Sequence, residues 1–301
     1  MKKSLLALAS GTLGLGIAEF VMMGILPNVA RDLSISIPEA GHFISAYAIG
    51  VCVGAPLGTL LSNLFSWRFP FLFNGCWGML VFFLVWKWIP VLPALPDVGW
   101  KGQFRFLRKL APWLIILTTM FGNGGVFCWF SYVTPQMLHE AGFQPESLTW
   151  IMMLAGLGMT IGNLVGGRCG DLYGLAPVIQ FTQVFMMLAL LGTFLFAGVP
   201  WLSVLLMFIC AAALFAVSPP QQLLLLQNSR RSEMMGAACV QIAFNLGNAV
   251  GAYAGGLPID AGLGYRYPAL VGVFVVALGW VCVTWYIRRE RRHFINEPIR
   301  L

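Results

Sequence analysis

The chain has 301 residues, of which 59% are hydrophobic and 10% charged, with a formal net charge of +7 and a mean hydropathy of +0.82. Soluble domains carry about 25% charged residues, so this composition excludes a soluble enzyme or binding module and indicates a polytopic membrane protein. The Lys and Arg residues lie between apolar runs and at the termini, where they act as topology signals and not as a nucleic-acid surface.

A helix needs about twenty apolar residues to cross the hydrocarbon layer. In chain order the candidates are 5–26, 43–61, 69–92, 112–132, 148–166, 177–198, 201–226, 234–256 and 268–287, which makes nine. The start "MKKSLLALAS" imitates a signal peptide, but its apolar stretch continues without a small-residue cleavage pattern, so an uncleaved first span is predicted. The polar connector "PALPDVGWKGQFRFLRKLAP" (Pro93–Pro112) divides three spans from six. The fold class is therefore all-α, with a short N-terminal bundle over 1–92, a central loop over 93–111 and a six-helix bundle with a basic tail over 112–301.

The first span carries Glu19 within the uncharged run "GLGIAEFVMMGIL". A charge at that depth costs at least ~2.5 kcal/mol on insertion scales. The acid is therefore expected to be protonated, hydrogen-bonded or open to a wet cavity, and a raised pKa suits a group that carries protons. A neutral acid bonded to a neighbouring helix is the structural alternative.

In the second half, "FGNGGVFCWFSY" places Asn123 among glycines in mid-span, with Trp129 and Tyr132 near its far end. Aromatic rings beside amides hold sugars or flat amphipaths. They also form the interfacial belt of membrane proteins, the reading favoured for Trp129 and Tyr132. Pro219 and Pro220, followed by Gln221 and Gln222, remove backbone donors and predict a disturbed helix, either at a cavity or as a static kink. In "GAACVQIAFNLGNAVGAYAGG" the amides Gln241, Asn245 and Asn248 follow i, i+4, i+7 spacing and share one helix face. Gly247, Gly251, Gly255 and Gly256 on that segment allow close helix approach. Amides lining a cavity suit a hydroxyl-rich neutral solute, because they both donate and accept; interhelical bonding is the alternative.

Seven scattered cysteines without a C-x-x-C pair, and three histidines at span ends or in the tail, give no metal site and no disulfide framework. With mid-span acids, histidines and lysines almost absent apart from Glu19, no acid–base pair for an intramembrane enzyme can be assembled. No cofactor is expected.

If all nine segments cross, Lys2, Lys3, Arg68 and Arg266 fall on one face and the other fourteen Lys and Arg residues on the opposite one. Excess positive charge marks the cytoplasm, which puts the central loop and the C-terminus inside but "MKK" outside. An even number of crossings would satisfy both ends.

"GLGIAEFVMMGILPNVARDLSISIPEAGHFISAYAIGVCVGAP" resembles the first two helices of a major facilitator superfamily exporter of the drug:proton antiporter group. "APWLIILTTMFGNGGVFCWFSYVTPQM" and "SPPQQLLLLQNSRRSEMMGAACVQIAFNLGNAVGAYAGG", with the helices between them, resemble that family's second half. The resemblance implies two six-helix bundles with both termini and the central loop cytoplasmic, in a bacterial inner membrane. "GAPLGTLLSNLFSWRFPFLF" begins like the second family helix and continues like the fifth, so about three helices are absent and the chain is read as three plus six. An odd number of lost crossings accounts for the charge conflict. The loop motif between the second and third helices and the arginine of the fourth are missing. Gly54, Pro56 and Gly58 are what remains of the antiporter motif, and Gly166, Arg168 and Asp171 resemble a degenerate gate loop in the second half.

The resemblance implies proton-coupled efflux of sugars or related small solutes by alternating access, impaired by the missing helices, with the proton gradient as energy source. The alternatives are a non-transporting remnant and a multidrug exporter. The implied partners are the lipid bilayer and a small solute, sugar or drug, without nucleic acid.

Overall fold

The computed structural model describes residues 68–88, 104–229 and 232–296, together with the isolated positions 57, 61 and 65. Within these residues each long apolar run is a helix and no strand occurs. That follows from the medium, since in lipid a lone segment satisfies its backbone groups by coiling on itself.

The helices are α1 (Phe69–Trp88), α2 (Leu110–Phe130), α3 (Val133–His139), α4 (Leu148–Tyr173), α5 (Leu175–Leu195), α6 (Pro200–Asn228), α7 (Glu233–Asp260) and α8 (Tyr267–Asn296). Most side chains of α1 are exposed. From α2 onward six long helices pack together, α2 against α7 and α8, α4 against α6, and α5 against α6 and α8. Five stretches are long and apolar enough to span a membrane, namely Leu110–His139, Pro145–Tyr173, Leu175–Leu195, Pro200–Asn228 and Tyr267–Glu290. The 28-residue α7 is not among them, because Gln241, Asn245, Asn248 and its glycines dilute its hydropathy. Nine spans are thus not all accounted for among the described residues.

Small residues set the closest approaches. On α7, Gly247, Gly251 and Gly255 lie against the carbonyl oxygens of Met120, Gly124 and Cys128 on α2. On α4, Gly158, Gly162 and Gly166 lie against those of Phe208, Ala212 and Ala216 on α6. A Cβ at any of the six would overlap backbone. Lipid tails are as apolar as leucine, so van der Waals contact at this range is what holds membrane helices together.

One end of the bundle is tied across its turns. The Glu140 carboxylate accepts the Tyr265 backbone N–H at 3.0 Å, and the His139 ring stacks on Tyr265 at 5.2 Å. Arg266 lies over the rings of Phe194 and Tyr267, at 5.8 and 5.5 Å. At the opposite end Asn228 donates to the Tyr286 hydroxyl at 3.3 Å.

Candidate functional site

The polar equipment of this half is made of amides and hydroxyls, and several of the hydroxyls, such as Thr118, Thr119 and Thr193, are spent on carbonyls one turn earlier in their own helix. Helices α2, α5 and α6 carry no ionisable Asp, Glu, His, Lys or Arg, and those of α4, α7 and α8 sit near helix ends. The amides divide into a buried set and an outer set.

The buried set centres on Asn123 of α2, Gln183 of α5 and Gln221 of α6, each 0% exposed. The Asn123 Nδ2 group donates to Gln221 Oε1 at 3.3 Å. Gln183 Nε2 donates to the Thr118 carbonyl at 3.1 Å. Gly122 makes room for them: the Gln183 amide occupies the place a Cβ would take, and Gln221 Nε2 is 3.6 Å from that point. Asn123 and Gln221 were predicted to line a cavity, and the structure brings them together inside the bundle. Gln222, the next residue, is half-buried. Gln183 escaped sequence reasoning, although the polar group Gln180, Thr182 and Gln183 within the apolar run "VIQFTQVFMMLAL" is a usable signal.

The outer set is on α7. Asn245 is exposed and donates through Nδ2 to the Gln241 carbonyl at 2.9 Å. Gln241 is half-buried, as is Asn248, whose Oδ1 is buried without a partner. Asn245 lies on a different side of the helix from Gly247 and Gly251, which face α2, whereas Asn248 stands three and seven residues from Gly251 and Gly255 and shares their side. Asn123 and Gln221 are thus fully buried, whereas Asn245 is exposed and Gln241 half-buried.

The aromatic pair does not form a belt. Trp129 is fully buried, and its Nε1 donates to Gln136 Oε1 on α3. The Tyr132 hydroxyl donates to the Ala252 carbonyl on α7 at 2.8 Å. An indole N–H needs an acceptor wherever it is buried, and the short α3 supplies one where lipid headgroups were expected.

The gate-loop residues sit at a helix end. Gly166, Arg168 and Asp171 belong to the last turns of α4, which runs on to Tyr173. The turn comes at Gly174, whose φ of 87° is accessible to glycine. Gly166 is buried against α6, whereas Arg168 and Asp171 are exposed. Pro219 and Pro220 lie within α6, which continues helically through both. Glu19, Gly54, Pro56 and Gly58 lie outside the described residues. No cluster of His, Cys, Asp or Glu able to hold a metal occurs among the described residues.

The profile of the Major Facilitator Superfamily matches residues 41–238 and, overlapping them, 117–298. The chain belongs to the major facilitator superfamily. AraJ of Escherichia coli K12, assigned as a transporter, is 37% identical over 388 residues, covering 99% of this chain and 98% of AraJ. The inner membrane transport protein YdhP of the same organism is 28% identical over 377 residues, covering 95% of this chain and 96% of YdhP. The purine ribonucleoside efflux pump NepI of Shigella dysenteriae is 26% identical over 302 residues, with 95% and 73% covered. A bacterial homologue of the iron transporter ferroportin has the same fold, with a TM-score of 0.60 at 14% identity over 90% of this chain and 69% of its own.

The match to AraJ is longer than the chain itself, 388 positions against 301 residues, so at least 87 positions of the alignment have no residue here. At about twenty residues per crossing plus loops, that is the content of roughly three membrane helices. This member of the superfamily is a shortened one.

Proposed function

We propose that this protein exports a small, neutral, hydroxyl-rich solute such as a sugar or nucleoside across the bacterial inner membrane by alternating access. The observation that carries the reading is the outer face of α7, where Asn245 is exposed beside Gln241 on the side not used for packing against α2. Carboxamides both donate and accept, as a hydroxyl does, and carry no charge that would favour an ionic solute. A relative that pumps purine ribonucleosides, whose ribose presents such hydroxyls, supports the same class. A multidrug exporter would be served better by an apolar or acidic cavity face.

In this reading the proton gradient supplies the energy, without a cofactor, and Glu19 carries the proton. That α2, α5 and α6 carry no Asp, Glu, His, Lys or Arg agrees with coupling located elsewhere. The central loop and C-terminus lie in the cytoplasm, since Arg105, Arg108, Lys109, Arg168, Arg288 and Arg289 share one end of the bundle while Arg266 is at the other.

The test is uptake of labelled pentoses and ribonucleosides into everted membrane vesicles under an imposed proton gradient. Flux that collapses on Glu19→Gln, and falls on Asn245→Ala with unchanged protein level, supports the reading. Absence of flux in this chain, with flux in a version lengthened to match AraJ, identifies a non-transporting remnant.

A further inference from the structure

We propose that Asn123, Gln183 and Gln221 together hold one ordered water molecule in the sealed interior of the bundle, joining α2, α5 and α6. The site is separate from the outer amides of α7, and its existence does not depend on the solute reading.

The case rests on hydrogen-bond bookkeeping. Asn123 Oδ1, Gln183 Oε1 and Gln221 Nε2 are buried and have no partner within the protein. Each such group carries an uncompensated desolvation penalty if left unpaired. Three of them on adjacent side chains exceed what one region of a folded core tolerates, and buried waters typically make about three hydrogen bonds to such groups. The surplus is two acceptors and one donor. A water molecule is the complement, giving its two O–H groups to Asn123 and Gln183 and accepting from Gln221.

The balance survives reversal of the amides. Exchanging oxygen and nitrogen in both Asn123 and Gln221 keeps their mutual bond and still leaves that pair one spare donor and one spare acceptor. Gln183 is fixed by its donation to the Thr118 carbonyl. The three side chains are also neighbours: the Gln183 carboxamide carbon and Gln221 Nε2 lie 3.3 and 3.6 Å from the same point beside Gly122, and Asn123 is bonded to Gln221.

Other occupants fit less well. A sodium ion needs oxygen ligands throughout, yet the Asn123–Gln221 pair presents an N–H in either orientation. A solute hydroxyl has one proton to give and would leave an acceptor unpaired. All three side chains are also closed to the outside.

Two measurements on the full chain in lipid nanodiscs test the proposal. An experimental density map that resolves ordered water is expected to show one feature within hydrogen-bonding reach of all three side chains; a map with the amides resolved and nothing between them overturns it. In a double-mutant cycle of Gln183→Met and Gln221→Met, two residues with no hydrogen bond to each other, the pair should lower the unfolding temperature clearly less than the sum of the singles. Additive losses overturn the proposal. Replacing choline chloride with sodium chloride at equal ionic strength should leave the unfolding temperature unchanged, and a sodium-specific rise would assign the site to a cation instead.

Discussion

Gly166 on α4 rests directly against the backbone carbonyl of Ala216 on α6, so closely that a Cβ on the glycine would overlap the oxygen. That carbonyl is one of two that the α6 prolines leave without a donor. In a regular helix Ala216 would accept from residue 220 and Phe215 from residue 219, and both positions are proline. The glycine therefore brings its Cα–H to an oxygen that has lost its N–H partner, a contact worth about 0.5–1 kcal/mol. One turn on, a Cβ on Gly170 would come within 3.3 Å of the Pro220 ring. Two features that the sequence presents separately, the proline pair and the glycine-rich end of α4, form one joint.

Substitution at this joint should discriminate between neighbouring glycines. Gly166→Ala forces α4 away from α6 and is expected to destabilise by about 1–3 kcal/mol, the usual cost of overpacking. Gly167→Ala should be close to neutral, since the nearest atom to a Cβ there is Pro219 Cβ at 4.0 Å. Thermal unfolding of the two variants in the same lipid or detergent checks the contrast. Equal losses would mean that the α4–α6 contact is not as drawn.

The prolines themselves should trade stability for motion. Pro219→Ala restores an N–H for the Phe215 carbonyl, and proline in a helix interior costs about 3 kcal/mol relative to alanine. A higher unfolding temperature is expected. If the joint moves during the transport cycle, solute flux should fall in the same variant, measured in vesicles at equal protein content.

Much of this architecture is legible in the apolar runs, because length and hydropathy alone decide what can span a bilayer. The run at 112–132 corresponds to α2 and that at 201–226 to α6, each within two residues at either end. What the sequence conceals is which polar residues face one another. Arg168 and Asp171 read as a gate loop from their resemblance to a superfamily motif, yet helix α4 carries them, its glycines being needed for contact with α6. Gln183 gave a local signal, but its neighbours Thr118 and Gln221 are supplied by other helices. Trp129 was misread for the same reason, since its partner Gln136 lies beyond a turn.

That indole gives the next prediction. Trp129→Phe keeps most of the buried ring but leaves Gln136 Oε1 without its donor, beside an Nε2 that is already unpaired. The loss should be about 1–3 kcal/mol, whereas a tryptophan in an interfacial belt would tolerate phenylalanine. Adding Gln136→Leu removes the stranded amide and should recover part of the loss. Unfolding temperatures of the single and double variants provide the check.

The two sides of α7 should respond in opposite ways. Gly251 backs onto the Gly124 carbonyl, so Gly251→Ala pushes α7 from α2 and should lower the unfolding temperature markedly. Asn245 is exposed, and its side chain bonds to the carbonyl one turn earlier in its own helix. Asn245→Ala is therefore expected to change stability by less than about 0.5 kcal/mol, as substitutions away from packed features do. If Asn245 meets the solute, the same variant should weaken solute binding several-fold, the loss of one or two hydrogen bonds at about 1 kcal/mol each. Calorimetric titration with candidate pentoses and nucleosides, alongside thermal unfolding, separates the effects. A binding defect in Asn245→Ala with normal stability makes the outer amides a solute-contacting face. Unaltered binding removes them from the site and leaves α7 a helix whose role is to pack.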